Sequence, residues 1–366
     1  MEYRWLDKIE DFEKISADWD RAVLASGGEN PFLLAEFIMT WWKYFGGESK
    51  LAMLVVFEGE NVVAGLPLYI RRGGLKEGFA QILGYIGGSA ANYTEPLIGH
   101  DFSFLPVLED ALYDREDWDI LQLSDVRQDS GFLSESNAGG RGIYKVKTEQ
   151  STLNWAIDLS MGKEAYLSTV SKKLLRDLRS KRRLAEKELG RVELREVAGE
   201  DGARRLFDTY TSFSVKAFEA RKRKSTFEDD AYALFFKDFL SYMARSWRLD
   251  AHALYAGDKV LAVSFAYRFG RGFNWTLTGF DYDYKYFRPG YLLIEELIDY
   301  AIRRGEVYYN WYGYERFYKE QWCNLKAPLY RITVSKGSLR SRLFLFLRAL
   351  KKFLGKVRPR IDKGNR

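Results

Sequence analysis

Apolar residues along the chain alternate between helical and strand-like spacing. Over residues 1 to about 50, Trp19, Val23, Phe37, Trp41, Trp42 and Phe45 sit as expected core positions of helices, and Asn30-Pro31 breaks the run to start a second helix. The blocks 51–57 and 62–70 flank a Glu-Gly-Glu-Asn turn and predict a hairpin. A second hairpin follows the same plan, with 251–256, a Gly257-Asp258-Lys259 turn and 260–267. Its turn glycine Gly257 lies 198 residues beyond Gly59, and at that offset Val62 meets Val260, Ala64 meets Ala262 and Tyr69 meets Tyr267. Leu83-Gly84-Tyr85 likewise resembles Thr278-Gly279-Phe280 at a slightly shorter offset. Matching turns before matching strands predict a duplicated α/β unit. The Gly-rich, polar stretch 131–142 reads as a loop, and Trp155-Ala156-Ile157-Asp158-Leu159 opens the second copy as a strand. The expected division is 1–150, 151–337 and a tail, 338–366.

The second copy is the richer in charge. Residues 166–188 predict one long helix with Leu167, Val170, Leu174, Leu178 and Leu184 as a narrow packing stripe. Lys172, Lys173, Arg176, Arg179, Lys181, Arg182, Arg183 and Lys187 cover its other faces, either as a solvated surface or as a dock for an anion. A second basic cluster, 216–224, precedes a helix over about 228–245. The stretch 280–322 carries the sharpest local signal. Pro289-Gly290 precedes Leu293, Ile294, Leu297, Ile298, Ala301 and Ile302 at i, i+3, i+4 spacing, and Arg303, Arg304 and Gly305 close that helix. Arg288 stands at its N-terminus, where unpaired N–H groups and the positive end of the dipole favour an anion such as a diphosphate. A strand (307–312), a short helix (317–325) and a last strand (329–334) follow. In the tail, Leu343, Phe344, Phe346, Leu347, Leu350, Phe353 and Leu354 share a face among many Arg and Lys residues. That pattern fits a helix on an anionic membrane surface, and equally one packed on its own domain.

Composition narrows the chemistry. Of the 366 residues, 16% are aromatic, which favours packed sheets and lined clefts over a disordered binder. The single cysteine, Cys323, excludes an intrachain disulfide framework and a cysteine-based metal cluster. With only His100 and His252, a His-rich metal site is not expected, and His252 on an apolar strand reads as a core residue. The net charge of +6 permits an anionic partner without naming one. No basic, then apolar, leader opens the chain and no apolar run approaches the ~18 residues needed to span a bilayer, so a cytoplasmic location is expected, with peripheral membrane contact through the tail.

The order strand, tight turn, strand, glycine-led helix, strand, short helix, strand resembles the GNAT acyl-CoA N-acyltransferase superfamily. More narrowly, it is similar to the CelD/BcsL-like acetyltransferase domain associated with polysaccharide biosynthesis, a distant relative of FemAB aminoacyltransferases. The resemblance rests on Asn30-Pro31-Phe32 with Trp41-Trp42, on Trp155 to Leu159 before Ser171-Lys172-Lys173-Leu174-Leu175-Arg176, on Arg288-Pro289-Gly290-Tyr291-Leu292, and on Tyr318-Lys319 with Trp322. It implies a mixed α/β (α+β) fold of tandem GNAT-like units, each a mixed, largely antiparallel sheet flanked by helices. It further implies acetyl-CoA or another acyl-CoA as cosubstrate, held by Phe280, Arg288, Pro289, Gly290, Tyr291, Leu292 and Asn310, with no metal. Tyr318 is the implied proton donor to the leaving thiolate, Lys319 its motif partner and Glu315 the base; Asn92, Tyr93 and Glu95 would line the acceptor side. Two departures stand out: the pyrophosphate loop is shortened to Arg288 and Gly290, and Asn310 occupies the place of the family's strand-end acid. The expected activity is acetyl transfer to an amine of an amino sugar or envelope polysaccharide component. The alternatives are a FemAB-like aminoacyl transfer from tRNA, the one nucleic acid considered, and a non-catalytic scaffold at the membrane in exopolysaccharide assembly.

Overall fold

A computed structural model describes residues 1–27, 30–99, 102–138, 144–270, 272–313 and 316–357. Glu315 and His100 therefore lie outside the described residues. The chain divides into two compact units: one comprises Met1–Ala22, Gly46–Ser151 and the chain from Tyr330 onward, the other Val23–Phe45 and Thr152–Leu329. The stretch 23–45 groups with the second unit and the tail with the first. Packing explains the first exchange. Phe37 meets Phe235 and Phe239 at 5.6 and 5.1 Å between ring centroids, and Lys43 and Tyr44 both donate to Asp238, at 2.9 and 2.6 Å.

In the first unit, the antiparallel strands Met53–Glu58 and Asn61–Leu66 turn on Gly59 at φ +61°. Pro67, which has no N–H for a ladder, separates this hairpin from Leu68–Arg72. Leu68–Arg72 pairs antiparallel with Gln81–Tyr85, which pairs parallel with Ile120–Arg127. The helix Leu105–Asp114 lies between those two parallel strands in sequence.

The second unit repeats the plan with longer strands. Its ladder runs Val192–Glu196, Leu249–Ala256, Lys259–Phe269, Gly272–Phe280, Tyr308–Asn310, then the end of Lys145–Asp158. Every pairing is antiparallel except that of Gly272–Phe280 with Tyr308–Asn310. The connection inside this parallel pair is the helix Pro289–Arg303, whose buried Leu292, Leu293, Leu297 and Ala301 join Trp155, Tyr166, Leu178, Leu254, Tyr309 and Trp322 in one core. The predicted helix over 166–188 divides into Lys163–Thr169 and Lys172–Leu189, because Val170 and Ser171 adopt extended ψ of 141° and 122°.

The duplication survives in fine geometry. The first hairpin shifts register between Val56 and Phe57, the second between Leu254 and Tyr255, the same positions at an offset of 198. In both copies a turn glycine at positive φ follows, Gly59 and Gly257, and in both a parallel pair follows the hairpin. A bulge leaves one residue unpaired and bends its strand, so a shared bulge marks a shared backbone path beyond the few shared side chains.

Candidate active site

The parallel pair of the second unit forms a fork. Gly272–Phe280 and Tyr308–Asn310 are paired only at Phe273 with Tyr309 and Asn274 with Asn310; beyond them the two strands have no ladder. A second bulge, between Phe265 and Ala266 of the neighbouring strand, leaves Thr276 out of register just past the parting point. Beyond Asn310 the chain turns to the opposite neighbour, with Trp311 donating its N–H to the Trp155 carbonyl at 2.8 Å. Parted backbones need something between them, and here aromatic rings supply it. Trp275 and Trp311 stand 4.4 Å apart between centroids, and Tyr318 lies 5.9 Å from each.

Tyr318 is thus placed by the fork, on the short helix Phe317–Trp322. Burial pushes its hydroxyl up to about 12, so it stays protonated at neutral pH. Cys323, which follows the same short helix, is also pushed up to about 12 by burial and stays a thiol at neutral pH. Cys323 was not singled out as chemistry from sequence, and in the structure it is a buried gauge of the local polarity.

Lys319, next to Tyr318, points the other way. Its ammonium donates to the carbonyls of Trp311, Tyr312 and Gly313 at 2.7, 3.2 and 2.6 Å, which ties down the chain leaving the fork. Burial pulls its pKa down to about 8, while the three carbonyl oxygens favour the charged form. Asn310 is similarly committed. Its amide donates to Asn274 at 3.1 Å and its carbonyl accepts the N–H of Tyr312 at 3.1 Å, while Asn274 donates on to the carbonyls of Phe269 and Gly272. A carboxylate in place of Asn310 would lose the donor that reaches Asn274, which explains an amide at this strand end.

The helix start after Phe280 carries the other expected residues. Arg288 adopts φ +56°, a left-handed conformation, and caps Pro289–Arg303 with its backbone. Tyr291 and Leu292 donate their N–H groups to the Arg288 carbonyl at 3.0 and 3.1 Å, and Pro289 has none, so Gly290 carries the N–H left for an anion. The Arg288 guanidinium pairs with Asp177 of the basic helix and lies 4.9 Å from the Tyr291 ring centre. Sequence reading passed over Asp177, the one acid in the first two turns of that helix. Around this pair lies a pocket of about 510 Å³, lined also by Ser171, Lys173, Phe317 and Gln321. The Tyr291 hydroxyl donates to Gln321 at 2.7 Å, linking the helix start to the Tyr318 helix. Gly290 has ordinary backbone angles, and a Cβ there would approach the Phe280 ring at 3.4 Å, close to normal contact. Neither backbone nor packing demands a glycine here.

These groups fit a diphosphate-bearing cosubstrate in kind: a cation, Lys173 beside it, a free helix N–H and an open pocket. The fit requires Arg288 to exchange Asp177 for the phosphate. The first unit offers a contrast, since the N–H groups of Phe104 and Leu105 at the corresponding helix start are held by Glu135 at 3.3 and 2.7 Å. That seat is already filled by the protein's own anion.

Asn92, Tyr93 and Glu95 lie in the first unit. Glu95 is buried, with its pKa raised by desolvation, and accepts from the Arg127 backbone N–H at 2.8 Å and its Nε at 3.1 Å; Arg127 also covers the Tyr93 ring. Asn92 is half-buried. His252 is in the core, 4.4 Å from the Tyr300 ring centre, with no hydrogen-bond partner on either nitrogen among the described residues. Among the described residues no group of three or more His, Cys, Asp or Glu is arranged to hold a metal ion.

A forked parallel pair joined by a glycine-led helix, with a tyrosine at the parting point, defines a GNAT-type acyltransferase fold. Residues 172–320 match the family model for an acetyltransferase (GNAT) domain. Among solved structures the chain is similar to FemX, with TM-score 0.61 and 11% identity over 94% of this chain and 99% of that one. It is similar to a conserved protein of unknown function from Bacteroides thetaiotaomicron, with TM-score 0.58 and 13% identity over 91% and 100%. The C-terminal domain of a putative lysylphosphatidylglycerol synthetase from Agrobacterium fabrum gives TM-score 0.54 and 13% identity over 91% and 96%. At such identities these likenesses establish a shared fold. No curated protein sequence gives a significant match.

Proposed function

We propose that this protein is an acyl-CoA-dependent N-acyltransferase that moves an acetyl group onto an amine of an amino sugar or another envelope polysaccharide component. The observation that carries the reading is the fork with Tyr318 at its parting point, beside a helix start whose glycine has no structural duty. An extended thioester can enter between parted strands, where unpaired backbone groups are available to polarise its carbonyl. Arg288, Lys173 and the Gly290 N–H would hold the diphosphate. The amine nitrogen attacks the thioester carbon, the C–S bond breaks, and the sulfur takes up a proton while the amine loses one. Tyr318 donates to that sulfur. A phenol near 12 is fully protonated at neutral pH and so carries the proton that the leaving sulfur needs. Glu315 is the proposed base for the amine proton.

Aminoacyl transfer is the second reading, favoured by the likeness to FemX and by the helix Lys172–Leu189. Arg182 of that helix is spent on Glu295 and Glu296 at 3.1 and 2.7 Å, and Lys181 sits over the Tyr286 ring, but Lys172, Lys173, Arg176, Arg179, Arg183 and Lys187 remain exposed. Such a row suits a polyanion such as tRNA, and its binding would weaken steeply with salt. Calorimetric titration separates the two. Saturable binding of acetyl-CoA supports the first; no heat at millimolar acetyl-CoA, with salt-sensitive binding of charged tRNA, replaces it by the second.

A further inference from the structure

The C-terminal helix Leu339–Val357 presents two different apolar faces. On one, Ser341 and Phe344 are buried, and Phe344 packs with Ala80, Ile82 and Ile120 of the first unit. That contact fixes the helix on its own domain, as one of the two sequence readings expected. On the other, Leu339, Leu343, Phe346, Leu350, Phe353 and Leu354 follow one another at spacings of three and four residues, with a single step of one at the end, and all are between 41% and 83% exposed, Leu343 at the edge of this face being partly covered by Gly78. At roughly 100° per residue these six fall within about a third of the helix circumference, opposite Ser341. Six large apolar side chains gathered on one exposed stripe exceed the scattered surface residues of an ordinary soluble domain.

Charge indicates what covers the stripe. The helix carries Arg340, Arg342, Arg348, Lys351, Lys352 and Lys356 and no acidic residue. By helical spacing, Arg340 and Lys351 fall along one border of the stripe and Arg342 along the other. Behind the helix, Lys147, Lys352 and Arg348 converge on the single carboxylate of Glu149 at 2.8, 3.4 and 3.7 Å, which leaves that end of the unit positive. In the sequence the cations continue through Arg358 and Arg360. A protein partner or a second copy of this chain would have to bury these cations against compensating acids, and this helix supplies none of its own for a symmetric contact. A bilayer rich in anionic phospholipid meets both demands at once, taking the stripe into the headgroup boundary and the flanking cations at the phosphates. No helix of the described residues is long and apolar enough to cross a membrane.

We infer that the helix Leu339–Val357 docks the protein on an anionic phospholipid surface through Leu339, Leu343, Phe346, Leu350, Phe353 and Leu354. This is independent of the acyl-transfer reading and places the protein at a lipid surface whatever its donor. The test is co-sedimentation of the full chain with phosphatidylglycerol/phosphatidylcholine vesicles and with phosphatidylcholine vesicles alone, for wild type and for F346E/L350E. Both substituted residues are exposed, and an unchanged melting temperature and oligomeric state by light scattering verify that the variant folds. The inference expects binding to the anionic vesicles, little binding to the neutral ones, and about a tenfold or greater loss in the variant. It is overturned if wild type ignores anionic vesicles, if F346E/L350E binds them unchanged, or if wild type is a dimer that the variant dissociates without any vesicle binding.

Discussion

Tyr318 and Lys319 are neighbours in sequence and opposites in use. Tyr318 faces the fork with its hydroxyl held protonated, whereas Lys319 spends its ammonium on three carbonyls. Tyr318→Phe is accordingly expected to lower kcat by about a hundredfold with little change in KM for the acyl donor or in melting temperature, since the proton donor proposed for the leaving sulfur is removed. Lys319→Met is expected to act on stability, by roughly 2–4 kcal/mol in urea unfolding, because three buried carbonyls lose their donor. A catalytic loss without destabilisation would contradict that assignment. Gly290→Ala is expected to leave stability within about 0.5 kcal/mol while raising the donor KM severalfold, because its Cβ meets only the Phe280 ring. His252 carries the pH dependence. Burial pulls it down from 6.5 to about 4, so as pH falls below 6.5 the unfolded chain takes a proton that the folded chain refuses. The stability this His contributes is whole above 6.5 and lost progressively down to about 4, for a total near 3 kcal/mol. In pH-dependent urea melts, His252→Phe should flatten the acid limb over that window; an unchanged limb would show that the imidazole titrates normally.

At the scale of elements, what could be read in the chain was what local rules control. The two hairpins were legible because Gly59 and Gly257 must turn at positive φ between period-two strands. The helix Pro289–Arg303 announced itself through Pro289 and its apolar face. The fork was not legible: where a parallel ladder stops depends on neighbouring strands, and Tyr308–Asn310 is too short to carry a pattern of its own. The pairing of Arg288 with Asp177, 111 residues away, and the occupation of the first unit's helix start by Glu135 are non-local for the same reason. Each nevertheless decides how an anion can bind. Asp177→Asn should release Arg288 and tighten binding of the donor's diphosphate by a few fold at low salt, measured by calorimetry; weaker binding would mean that the ion pair orders the site.

For the molecule as a whole, the tandem arrangement gives two copies of one plan with different fates. The first copy fills its helix start with Glu135 and breaks its long strand at Pro67; the second keeps an unbroken strand, an open pocket and the Tyr318 helix. A duplicated fold whose two copies have diverged at the helix start accounts for both the repeat and its asymmetry. The central claim is that the second unit binds an acyl-CoA at the fork. Isothermal titration of the full chain with acetyl-CoA, run beside Gly290→Ala, tests it most directly. The account predicts one saturable site per chain, weakened severalfold by the alanine; no binding at millimolar acetyl-CoA, or equal binding by the variant, would contradict it.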